Sequence, residues 1–173
     1  MNRLNLSPAD HVSVNVEKIL GLVIELEKEK GLDMEEIQYK YTHGFCGALA
    51  QLVRIVLSKT TQQTISIQHV DMDCKTDNLW PGAHIEHVYM VTRDPNSTRN
   101  KIFPPMDYYY FDILGKHHTD DYSTFTSDPY FVDKDLEQKY PGDKYREKWK
   151  NDFYNISDHI LDMVQEMSQE EMQ

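Results

Sequence analysis

Up to about Ser58 the apolar residues recur at three- and four-residue steps, and from Thr64 they fall on every second residue. The first spacing lines one face of a helix and the second one face of a strand, so no single kind of element satisfies both. The order is therefore helices first, then a small antiparallel sheet. A third segment, from about Asp143 to Met167, returns to the helical period. The fold class expected is α+β.

In the first part, Val16, Ile19, Leu20, Val23, Ile24 and Leu26 form the stripe of a helix from about Ser13 to Lys30, stopped by Gly31. Asp33-Met34-Glu35-Glu36 has the acid and following glutamate of a capping box, which starts a short second helix ending before Gly44. A third helix begins at Cys46 and runs to about Ser58, with Leu49, Leu52, Val53, Val56 and Leu57 on its buried face.

Three strands are read after it. Thr64 to Val70 alternates, Ile85 to Thr92 is rich in β-branched and aromatic residues, and Tyr108 to Leu114 is closed by Gly115. Lys116 to Asp143 is polar and irregular, a long loop that either packs over the sheet or carries function. The closing helix carries Trp149, Phe153, Ile156, Ile160, Met163 and Met167 at steps of four and three, a stripe expected to pack on the parent domain. A chain of 173 residues with no internal repeat is expected to form one domain over residues 1–173, its core at about 42–115 and its C-terminal helix at about 143–167.

Charge and cysteine usage narrow the setting. A formal net charge of -11 opposes binding to nucleic acid or to an anionic membrane surface. Two cysteines, Cys46 and Cys74, make no disulfide scaffold, which points to a reducing cytoplasm. No cationic segment followed by an apolar one opens the chain, so no secretory signal is expected, and no apolar run has membrane-spanning length. The seven glycines form no phosphate-binding loop, and no cofactor is expected.

Chemistry gathers at His43-Gly44-Phe45-Cys46-Gly47-Ala48. A thiol at a helix N-terminus lies among backbone N–H groups and the positive end of the helix dipole, which favours the thiolate and could hold an oxyanion. Gly44 and Gly47 leave room for a substrate to approach. The alternative is a small buried cysteine packing a helix start. A thiolate nucleophile needs a histidine, and that histidine needs an acceptor that fixes its tautomer. His87 opens the apolar run Val88-Tyr89-Met90-Val91, and Asp112 follows Tyr108-Tyr109-Tyr110-Phe111. If those strands pair, His87 and Asp112 lie side by side on one face, against which the Cys46 helix would pack. His84 competes with His87 as base, and alternation puts the two on opposite faces.

The order of Gly-Phe-Cys-Gly-Ala-Leu-Ala, His-Val-Tyr-Met-Val and Tyr-Tyr-Phe-Asp-Ile-Leu-Gly resembles the papain-like cysteine hydrolase superfamily, nearest to small proteins of phages and mobile elements. The resemblance covers about Thr42 to Gly115. It implies a papain-like core, with Cys46 as nucleophile, His87 as general base and Asp112 as the orienting acid. Such enzymes place an oxyanion-donating glutamine upstream of the cysteine; here Gln38 has a different spacing, and Thr42 and His43 are the other candidate donors. The function implied is a cysteine-dependent hydrolase or acyl transferase of peptidase, isopeptidase or deamidase type. Its substrate would be a protein or peptide, with a host protein as target if the chain is a phage product.

Two other readings stay open. His43 with Cys46, and His84 with His87, are pairs with zinc-ligand spacing, and Glu86 could serve as base to a zinc-bound water. A catalytically silent module would instead bind and inhibit a protein partner through its acidic surface and the aromatic 116–143 loop. His117-His118 reads as a solvated tract, Cys74 as a bystander and Asn96-Ser97-Thr98 as a glycosylation pattern without meaning in a cytoplasmic protein.

Overall fold

The computed structural model describes residues 4–42, 44–73, 84–96, 108–118 and 142–171. His43, Cys74, the Asn96-Ser97-Thr98 pattern beyond Asn96, and most of the 116–143 loop lie outside them, as does the side chain of His84.

Helix α1 spans Val12–Glu29, α2 Met34–Thr42 and α3 Cys46–Thr60. Before α1, the His11 ring accepts the Ser13 N–H. After it, Gly31 adopts φ +95°, Gly31 N–H bonds Lys28 O, and Leu32 N–H bonds Glu27 O. That pair of bonds is a Schellman stop, and it buries Leu32 against the helix it terminates. Asp33 Oδ1 then accepts the Glu36 N–H at 2.9 Å, the backbone half of the expected capping box. Strands β1 (Ser66–Asp73), β2 (His84–Arg93), β3 (Tyr108–Asp112) and β4 (Gly115–His118) follow, and α4 closes the order at Gly142–Glu171.

All strand neighbours are antiparallel, in the order β1-β2-β3-β4. The fourth strand corrects the sequence reading, which ended the third at Leu114 and treated Lys116 onward as loop. Ile113 and Leu114 form a tight turn between the paired residues Asp112 and Gly115, and Gly115 takes φ +115° to start the return. The Asp112 carboxylate caps this turn by accepting the Leu114 N–H at 2.9 Å.

Among the described residues, one buried apolar cluster joins the four helices to the sheet. From α3 it takes Leu49, Val53, Val56 and Leu57, and from the sheet Met90 and Phe111, which pair with each other across β2 and β3. The α4 stripe of Trp149, Phe153, Ile156 and Ile160 docks on it as read, with Trp149 edge-on to Tyr39 and Phe153 edge-on to Tyr41. In the next turn it is Val164, not Met163, that is fully covered. Burying one such side chain contributes about 1.5–3 kcal/mol. No helix among the described residues is long and apolar enough to cross a membrane.

Candidate active site

Strand alternation decides which side chains can meet. Val91 pairs with Tyr110, so the face of Val91 carries back to Tyr89 and His87, and the face of Tyr110 carries forward to Asp112. His87 and Asp112 therefore share a face, the arrangement the sequence suggested. Val88 and Met90 point to the other face, and the helical core lies there: a Cβ on Gly47 would stand 3.8 Å from Val88 Cγ2. The body of α3 thus packs opposite the His–Asp face, against the expectation that it would cover it. Only its first turn reaches the imidazole, at a stretch of β2 that precedes Met90, the first residue of that strand paired with β3.

There Cys46, 9% exposed, is the first residue of α3 and stands close enough to His87 for the imidazole to act on its thiol. His87 Nε2 lies 3.0 Å from Asp112 Oδ2, and both residues are shut off from solvent. With Nε2 turned to the carboxylate, Nδ1 is the nitrogen left for the thiol. The His87 and Tyr89 rings also meet in a T-shaped contact, with centroids 4.4 Å apart, so the imidazole is held from two sides.

The electrostatics favour a charged pair. Burial pushes the Cys46 thiol up, but the hydrogen bond and charge of His87, with the Val88 and Gly47 backbone N–H groups, bring it below its ordinary value. Burial pushes His87 down, and the hydrogen bonds and charges of Asp112 and Cys46 carry it above its ordinary value. The acid is made stronger and the base more basic. Both shifts lean the pair toward thiolate and imidazolium.

The oxyanion candidates divide. Thr42 spends its one hydroxyl hydrogen on Gln38 O at 2.7 Å, a bond back into its own helix that leaves no proton for a substrate. Gln38 is exposed on α2, and His43 lies outside the described residues. The first-turn N–H groups of α3 have no acceptor within the helix, and Phe45 caps it without a side-chain hydrogen bond. Those backbone donors are the better placed group. Among the described residues no three histidine, cysteine or acidic side chains gather as metal ligands. His43 and the His84 side chain, two members of the alternative zinc set, fall outside that search.

Two features escaped the sequence reading. His117, read as solvated, places Nε2 3.2 Å from Asp112 Oδ1. Glu27 and Lys40 form a fully buried ion pair, joined by the Tyr41 hydroxyl at 2.6 Å from Glu27 Oε1. Lys40 Nζ also stands 5.5 Å from the centroid of Phe45, the residue before Cys46. Glu27 was legible as a charge four and seven residues beyond Val23 and Leu20 on an apolar stripe. His117 had no such signal without the turn that precedes it.

No known family, curated protein or solved structure matches the chain in comparisons of sequence and fold.

Proposed function

We propose that this protein is a cysteine-dependent hydrolase or acyl transferase with a papain-like core, acting on an amide, isopeptide or thioester carbonyl. The observation that carries the reading is the placement of His87 between Cys46 and Asp112, with the thiol at the first residue of a helix. The Cys–His–acid order along the chain, on a helix followed by antiparallel strands, supports the papain-like assignment.

The Cys46 thiolate attacks the carbonyl carbon, forming a C–S bond while the carbonyl π electrons move to oxygen. The α3 first-turn N–H groups stabilise that oxyanion. The tetrahedral adduct collapses, the bond to the leaving amine or thiol breaks, and the His87 imidazolium supplies the proton it takes away. Neutral His87 then removes a proton from water or an acceptor amine as it attacks the thioester, releasing the acyl group and restoring the thiol pair. Asp112 holds the ring and stabilises its charge throughout.

The test is intact mass after exposure to an activated acyl ester in a Cys74→Ala background. One acyl group on the protein, absent in Cys46→Ala and slowed in His87→Ala, is the expected result. Acylation at an undiminished rate in Cys46→Ala overturns the assignment.

A further inference from the structure

We propose that His117 is a positioning residue of the thiol site: a second imidazole that clamps the far oxygen of Asp112 so that the near oxygen faces His87. The inference rests on the reading of Cys46, His87 and Asp112 as one catalytic unit.

The placement follows from register. β4 returns alongside β3 after a two-residue turn, with His117 opposite Tyr110. Cross-strand partners share a face, so His117 stands on the face of Tyr110 and Asp112, diagonal to the carboxylate. The two Asp112 oxygens are divided between partners. Oδ2 faces His87 Nε2 at 3.0 Å, and Oδ1 takes both the Leu114 N–H at 2.9 Å and His117 Nε2 at 3.2 Å.

A buried carboxylate needs donors for its lone pairs, and each donor also fixes the carboxylate plane. The Leu114 N–H holds Oδ1 from the turn, and His117 adds a donor to the same oxygen from the next strand, which further restrains the carboxylate plane. That plane aims Oδ2 at His87, and through His87 it governs how strongly the imidazole draws the Cys46 proton. His117 needs only an N–H at Nε2, which the Nε2-protonated neutral ring and the imidazolium both supply. Its side chain is 23% exposed against 2% for Asp112, so it reaches the carboxylate from the solvent side of the turn, where replacement disturbs little of the core. Its strand neighbour Lys116 points elsewhere, toward Glu17 of α1 at 3.9 Å and over the Tyr109 ring.

The experiment is the pH dependence of Cys46 alkylation in Cys74→Ala protein, read for wild type, His117→Phe and His117→Gln. Phenylalanine keeps an aromatic ring and removes the donor, whereas glutamine keeps an N–H near the position of Nε2. The expected result is a midpoint raised by about half to one pH unit in His117→Phe, roughly a three- to tenfold loss of thiolate below the midpoint. His117→Gln restores most of it. A His117→Phe protein that titrates like wild type, whatever its stability, overturns the positioning role. If His117→Phe does not fold, His117→Ala is read by the same criteria. A wild-type thiol that titrates near the free value of about 8.5 and ignores His87→Ala overturns the catalytic unit itself, a different result from an activated thiol indifferent to His117.

Discussion

His87 Nε2 and Asp112 Oδ2 stand 3.0 Å apart across neighbouring strands, 25 residues distant in sequence and both closed to solvent. A buried imidazole beside a buried carboxylate is, when neutral, held in one tautomer, with Nε2–H donated to the acid. The first expected outcome concerns that thiol. Its alkylation should follow a midpoint below that of an ordinary cysteine, because His87 and two backbone N–H groups outweigh the effect of burial. In His87→Ala the burial remains and the main opposing partner is gone. The midpoint should then move to the ordinary value or above, and iodoacetamide kinetics against pH read both limbs of the comparison.

Asp112→Asn keeps the planar shape of the carboxylate and removes its charge. His87 is held above its ordinary value largely through Asp112. Without that charge the imidazolium gives up its proton at lower pH. The basic limb of the rate profile should move down while the acidic limb, set by Cys46, moves up. The window in which thiolate and imidazolium coexist narrows from both sides. Acylation should slow on the order of a hundredfold or more, as wrong-tautomer variants of such triads do. A profile with both limbs unmoved would show that Asp112 caps its turn and does nothing for the imidazole.

The two glycines flanking Cys46 should answer differently to one methyl group. Gly44 sits at φ +124° with nothing within 4 Å of a Cβ, so alanine there meets no neighbour but a forbidden backbone region. Gly44→Ala should cost about 1 kcal/mol or more and displace the thiol as the link relaxes. Gly47 lies inside α3 with its Cβ position 3.8 Å from Val88 Cγ2, an ordinary contact. Gly47→Ala should gain up to about 1 kcal/mol from helix propensity. Urea unfolding of the two variants gives the contrast.

What the sequence could and could not carry is visible at the same residues. The periodic stripes located the helices because burial of one face leaves an imprint at every third or fourth position, and the β2–β3 pairing followed from two alternating runs. The Schellman stop at Gly31 and the cap at Asp33 were legible because each depends on one residue type at one spacing. The end of β3 was not. Leu114 continues an apolar run, and only the Asp112 turn with positive-φ Gly115 shows that the chain has already reversed. Missing that turn hid β4, and with it the contact of His117 with Asp112. Which face α3 covers was also illegible, since alternation gives two faces without saying which one is apolar enough to take a helix. The His87 face holds Tyr89 and Asp112, and the other holds Met90 and Phe111, which settles it.

The buried pair Glu27–Lys40 gives the last expected outcome. Both side chains are fully closed to solvent, and Glu27 also accepts the Tyr41 hydroxyl. Burial lowers Lys40 from its ordinary value against the opposing pull of Glu27, so the ammonium is held there by its partner. Lys40→Met removes the counter-charge and leaves the carboxylate buried with one neutral donor. The loss should be about 3–5 kcal/mol, the cost of an uncompensated buried charge. Glu27→Gln combined with Lys40→Met removes both charges, and should recover most of that loss because no ion remains to be desolvated. Urea unfolding of the two singles and the double closes the cycle, and a coupling near zero would show that the two charges do not depend on each other. The same variants should be followed by thiol alkylation. Lys40 Nζ faces the Phe45 ring, and Phe45 sets the start of the helix on which Cys46 stands. A fold that survives Lys40→Met with its Cys46 midpoint unchanged would confine the pair to stability, whereas a raised midpoint would tie the α1–α2 ion pair to the geometry of the thiol.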